Sequence, residues 1–137
     1  MISPEKILKK HHLRHTPFRA EVLQIFANAG KALSSHDIEL QLSDADRITL
    51  YRTLKSFEEK GIIHKAIDGT ITQKHAICEA HCTEHHHHDK HVHFHCESCQ
   101  NTFCIEQVVV PQIDLPSGFK VRQSNMVVSG LCKDCDQ

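Results

Sequence analysis

Apolar positions recur at helical spacing along the first sixty residues and at strand spacing beyond them. After Thr16-Pro17, the residues Phe18, Val22, Ile25, Phe26 and Ala29 fall at i, i+4, i+7, i+8 and i+11, which predicts one helix with a single buried stripe. Gly30 supplies its C-terminal stop. Ser3-Pro4 and Thr16-Pro17 each place a capping hydroxyl before a proline suited to the first helical position. Ser34 with Asp37 reads as a capping box for a short helix buried through Ile38 and Leu42. Asp46 caps a fourth helix running to about Lys60 and halted by Gly61, with Leu50, Leu54 and Phe57 as its inward stripe. Gly61 to Ile67 and Thr72 to Ile77 then read as two strands around the turn Asp68-Gly69. Helices followed by a hairpin is the order of a winged helix-turn-helix.

The back of the chain is strand-like. His91-Val92-His93-Phe94-His95 alternates strictly, so three imidazoles share one face and Val92 and Phe94 take the other. Phe103 to Ile105, Val108 to Val110 and Phe119 to Val128 are further strand candidates, broken by Pro111 and by Pro116-Ser117-Gly118. The expected fold class is α+β. A winged helix-turn-helix spans residues 1–80, a His-rich connector 81–90, and a small C-terminal α/β domain 91–137.

Composition adds the chemistry. A chain of 137 residues is one domain or two very small ones sharing a core. Hydrophobic residues at 39% and charged ones at 24% are ordinary for a soluble globular protein, and a net charge of −1 argues for no particular partner. No window approaches the roughly 18 apolar residues of a membrane span, and the start lacks the apolar core of a secretory signal. The unusual entries are 14 His and 7 Cys. All seven cysteines lie at or beyond Cys78, behind a mildly basic front. An odd count without an export signal favours reduced, metal-binding thiolates in the cytoplasm over a disulfide framework.

On the helix beginning at Asp46, Arg52, Lys55 and Ile48 point away from the inward stripe, with Tyr51 on the flank and Arg47 and Thr49 in the first turn. Such side chains serve phosphates, and Arg also reaches a guanine edge. A plain solvated face is the competing reading of the helix alone. Leu13-Arg-His-Thr-Pro-Phe-Arg19, Ile48-Thr-Leu-Tyr-Arg-Thr-Leu54, His91-Val-His-Phe-His-Cys96-Glu-Ser-Cys99 and Gly130-Leu-Cys132-Lys-Asp-Cys135 together resemble the ferric uptake regulator family over nearly the whole chain. The resemblance implies a cytoplasmic, homodimeric, metal-dependent transcriptional regulator, usually a repressor, whose C-terminal domain dimerises. Its partners would be a palindromic double-stranded operator and a second copy of the chain, with no membrane or small-molecule substrate. Arg14, Arg19, Thr49 and Lys55 are the expected phosphate contacts, and Tyr51 and Arg52 the expected base-edge contacts.

Cys96-Glu-Ser-Cys99 and Cys132-Lys-Asp-Cys135 each offer two thiolates, and two such turns make a closed tetrahedral shell suited to structural zinc. The stretch between them is longer than a typical zinc ribbon's, so spacing alone does not decide it. The family resemblance places regulatory ligands at His91 and His93. It also marks two departures from the iron-type pattern. Cys104 stands where a carboxylate is common, and Ala32 where many members carry a histidine. Cys78 and His64 look like the hinge ligands of zinc uptake regulators. A set of His64, Cys78, His93 and Cys104, with His91 competing, supplies two sulfurs and two nitrogens and favours zinc over ferrous iron as the second, regulatory metal. The closest ligand pattern is therefore that of the zinc regulators. Iron- or peroxide-responsive members are the alternatives.

No catalytic signature accompanies these donors. His95 precedes Cys96 and Leu131 precedes Cys132, so the zinc-deaminase pattern fails, and HExxH is absent. The chain reads as a regulator and not an enzyme. A His/Cys-rich zinc buffer or chaperone is the reading from another class, and His85 to His88 would suit it. That run reads either as a loop handing over metal or as an imidazole-rich linker.

Overall fold

The structure is a computed structural model and describes residues 3–44, 46–77, 92–105, 107–108, 110–122 and 124–136. Four helices come first: α1 (Pro4–Lys10), α2 (Pro17–Ala29), α3 (Ser35–Glu39) and α4 (Arg47–Glu59). The Ser3 hydroxyl, expected to cap α1, makes no capping hydrogen bond, and the proline at the first helical position begins that helix without it, whereas the other ends follow the local chemistry. The Thr16 side chain accepts from the Arg19 amide, Gly30 turns left-handed at φ 65°, and Ser34 and Asp37 complete a reciprocal capping box. Asp46 accepts from the amides of Ile48 and Thr49 to cap α4. Leu8, Val22, Leu23, Phe26, Ile38, Leu50 and Phe57 bury their side chains almost completely in one core. Phe57 is fully enclosed there.

Three strands complete the front part: β1 (Leu33–Ser34), β2 (Ile63–Lys65) and β3 (Lys74–Ile77). Their order is β1-β3-β2, all antiparallel, with His64 opposite Ala76 and Leu33 opposite His75. This is the expected wing, with shorter strands than the pattern suggests because Ala66 to Gln73 are taken up by the turn. There the Asp68 carboxylate accepts from the amide and hydroxyl of Thr70. The two-residue β1 is too short to leave a periodic signal.

The back part has β4 (Val92–Cys96), β5 (Thr102–Ile105) and β6 (Met126–Gly130), in the order β5-β4-β6. β4 and β5 are antiparallel and join through the turn that carries Cys99, whereas β6 runs parallel to β4. His93 and His95 are buried on one face, as the alternation predicts. Two expected strands fare differently. Val108 and Val110 lie outside any strand, Val110 next to Pro111, which has no amide to donate, and Val109 lies outside the described residues. The expected run from Phe119 to Val128 is realised only from Met126 to Gly130, because the partner β4 offers five residues and each pairs once. The α+β character holds, but among the described residues every helix lies before residue 60 and the back part consists of strands and turns. Pro111 and Pro116 and the β-branched Val108 and Val110 disfavour a helix in that stretch. The expected connector, residues 81–90, lies outside the described residues, as do Cys78 and His91.

Candidate metal centres and nucleic-acid face

The strand ends of the back sheet bring four cysteines together. Cys96 closes β4, Cys99 follows in the turn, and Cys132 and Cys135 follow β6, which lies beside β4 in parallel register. The parallel pairing puts both turns at the same end of the sheet, so the four sulfurs lie within 4.8 Å of one another. The Glu97 amide donates to the Gly130 carbonyl at 2.8 Å and pins one turn to the other. The amides of Cys99 and Cys132 point at the Cys96 sulfur, at 3.5 and 3.4 Å, and lower that thiol to about 6. Cys135, crowded first by Cys132, is pushed up to about 12. Four thiolates this close repel one another, and a divalent cation among them removes that conflict. Four sulfurs and no open position fit structural zinc.

A second cluster lies where front and back parts meet. His64 of β2, His93 of β4 and Cys104 of β5 place their donor atoms within 4.8 Å of one another. The Cys104 sulfur is 3.7 Å from His64 Nε2, and the rings of His64 and His93 are 5.8 Å apart. His93 and Cys104 face each other directly in the β4–β5 register. Ala32, Ala66 and Ala76 pack together beside Cys104, and their small side chains let the two sheets approach closely. Ala32 thus lies beside the cluster but offers no donor. Two imidazoles and a thiolate, drawn from three strands, suit a borderline-soft ion such as zinc.

A polar network that no local sequence signal marks accompanies this cluster. Asp68, read as a turn residue, is buried and meets Lys74, Thr102 and His95. Burial alone would raise its carboxyl, but hydrogen bonds from Thr102, Thr70 and Lys74 outweigh that and hold it well below the usual carboxylate range. A lysine and an aspartate in a hairpin look solvated until the opposite sheet is known.

The α4 helix presents Ile48, Thr49, Tyr51, Arg52 and Lys55 to solvent, Tyr51 being 67% exposed. The single hydroxyl proton of Thr49 goes to Asp46 at 2.7 Å, which leaves that side chain only acceptor capacity. Arg14 is exposed after α1, and its carbonyl accepts from Arg19 Nη1 at 2.7 Å. His75 is a buried histidine 3.0 Å from Glu58 of α4.

A winged helix joined to a cysteine-clustered sheet, with further donors at the seam, defines a metal-binding, DNA-binding transcriptional regulator. The family profile described as "Ferric uptake regulator family" matches residues 10–129, and the chain belongs to that family. Its members are transcription regulators and not enzymes. The ferric uptake regulation protein of Staphylococcus aureus is 34% identical over 137 residues, 95% of this chain and 93% of the relative. Among solved structures, holo XcZur is similar with a TM-score of 0.64 and 26% identity, covering 96% of this chain and 92% of that one. A zinc uptake regulator complexed with zinc and DNA is similar with a TM-score of 0.65 and 25% identity, covering 96% of this chain and 89% of that one. No helix among the described residues is long and apolar enough to cross a membrane.

Proposed function

We propose that this family member is a zinc-responsive repressor of metal-uptake genes, acting in the cytoplasm as a homodimer on a palindromic operator. The observation that carries the reading is the juxtaposition of His64, from the wing, with His93 and Cys104, from the back sheet. We assign Cys96, Cys99, Cys132 and Cys135 to the structural zinc. To the regulatory zinc we assign His64, His93 and Cys104, with Cys78 and His91 as further ligands outside the described residues. Residues 1–80 form the reading head, 81–90 the connector and 91–137 the pairing module.

When bound, zinc supplies a cross-link between donors on the two parts. The chain does the rest. His64 is carried on β2, directly after α4, so drawing it toward β4 and β5 orients α4 relative to the pairing module. Fixing both recognition helices of a dimer selects a two-fold operator spacing. Arg14, Arg19 and Lys55 then meet phosphates, and Tyr51 and Arg52 meet base edges. Thr49 remains in the assigned set as a residue of the first turn. The outer edge of β6 and the exposed Phe119, Val121 and Val128 offer apolar surface for the second copy.

The test is a mobility shift on a palindromic duplex selected from a random pool, with and without zinc, alongside elemental analysis before and after mild chelation. The expectation is two ions per chain, one labile, and DNA binding that needs the labile one. The name of the Staphylococcus aureus relative favours an iron-responsive reading, and ferrous iron restoring DNA binding where zinc fails would establish it. No DNA binding under any metal would leave a zinc buffer.

A further inference from the structure

The seam between the two parts is held twice. Two pairs along the sheet from His93–Cys104, past Phe94–Phe103, β4 and β5 present His95 opposite Thr102. These residues are two positions from His93 and Cys104, so both rungs face the wing from one sheet surface. The wing answers in kind. Lys74 lies two residues before Ala76, the partner of His64, and the Asp68 turn sits beside it.

The contacts at this second rung are complete. Thr102 Oγ1 donates to Asp68 Oδ2 at 2.6 Å, and Lys74 Nζ donates to the same oxygen at 3.0 Å. Lys74 Nζ also donates to the Gln100 carbonyl at 2.9 Å and to Thr102 Oγ1 at 3.1 Å. His95 Nδ1 is 3.1 Å from Thr102 Oγ1, and its Nε2 is 3.2 Å from Gln100 Oε1. Beside them the Ala32 amide donates to the Thr102 carbonyl at 2.8 Å, and Lys31 Nζ to Asn101 Oδ1 at 2.9 Å. Thr102 is fully buried, and Asp68, Lys74 and His95 are about nine-tenths buried or more. Asp68 and Lys74 both belong to the wing and neutralise each other within it, but Thr102, Gln100 and His95 of the back part supply their remaining partners. A shift of either part removes those hydrogen bonds from two buried charged groups, which is costly.

We propose that Asp68, Lys74 and Thr102 are positioning residues, a metal-independent latch that sets the gap in which His64, His93 and Cys104 take up the regulatory ion. The inference rests on the zinc reading above for its consequence, though not for its geometry. The chain then meets zinc with the wing already seated, and the metal completes a contact half made. The latch therefore sets how much zinc the response needs.

The variants are Thr102→Val, which keeps shape and strand preference but deletes the hydroxyl, Asp68→Asn, and Thr102→Ser as the conservative control. Three quantities are read on the full chain holding only its structural zinc: exchange of the Ala32 amide, zinc affinity of the labile site by chelator competition, and DNA binding at saturating zinc. Wild type and Thr102→Ser should protect the Ala32 amide. Thr102→Val and Asp68→Asn should lose that protection while core amides of α4 keep theirs. Labile-site affinity should fall about tenfold, the loss of one charge-assisted hydrogen bond, with DNA binding recovered at excess zinc. An unprotected Ala32 amide in the wild type overturns the proposal, as does unchanged zinc affinity in both variants. Should Thr102→Val fail to fold, Asp68→Asn decides alone. A wild type whose DNA binding ignores zinc would sink the zinc reading, while amide protection would still judge the latch.

Discussion

Replacing Cys104 by alanine removes the anionic donor of the seam cluster, and the size of the effect follows from the geometry. The sulfur lies opposite His93 and 3.7 Å from His64 Nε2, across the contact between wing and back sheet. It is half-buried against Ala32, Ala66 and Ala76, so its loss should cost the fold about 1 kcal/mol or less. The regulatory cost is larger. To move the aligned form from about 1% to about 99% of molecules, the ion must favour it by about 5.5 kcal/mol, and apparent DNA affinity then rises about a hundredfold. Deleting the anionic partner of a buried charge contact costs about 3–5 kcal/mol. With about 4 kcal/mol gone, about one molecule in ten is aligned at saturating zinc, and the gain shrinks to about tenfold. Fluorescence anisotropy of a labelled operator in zinc-buffered solution measures that ratio. Elemental analysis and sedimentation check that the variant keeps its structural zinc and its dimer. A folded, dimeric Cys104→Ala protein with the full hundredfold response would refute the reasoning.

Four further outcomes are expected. Cys132→Ser should cost the tightly held zinc and the order of the back sheet, since such sites contribute roughly 10 kcal/mol in small modules; a variant that still holds that ion through chelation would contradict the four-sulfur assignment. Lys55→Ala should weaken DNA binding evenly across sequences and reduce the salt slope by about one, whereas Arg52→Ala should relax sequence preference. Phe57, fully enclosed in the front core, should cost about 3–5 kcal/mol on truncation to alanine, read from a denaturant midpoint. The zinc response should weaken as pH falls from about 8 toward 6, because His64 and His93 must be neutral and Cys104 deprotonated to bind. A flat profile or a response that strengthens in acid would speak against those ligands.

Much of the front part was legible because its signals are local. Thr16-Pro17, Ser34 with Asp37, Asp46 and Gly30 act within one turn of themselves, and each performs the capping or stopping role its chemistry suggests. The apolar stripes of α2 and α4 need only helical periodicity, and their residues line the core. The paired CxxC turns suggested a shared site through the softness of their donors, although the long stretch between them left spacing indecisive, and the structure brings the four sulfurs within 4.8 Å of one another. Resemblance to the family, and not periodicity, pointed to His64, His93 and Cys104.

Tertiary structure decided what depends on partners distant in the chain. The parallel pairing of β6 with β4 places Cys132 and Cys135 beside Cys96 and Cys99, and no local preference encodes that registration. It also trims β6 to five residues, since a strand exists only as far as its neighbour offers amides and carbonyls. Val108 and Val110 have strand propensity but lie outside any strand. The joining of Asp68 and Lys74 to Thr102 and His95 likewise arises from two sheets meeting face to face. Hydrophobic patterning records which residues leave water, whereas the pairing of buried polar groups is settled only by which surfaces come into contact.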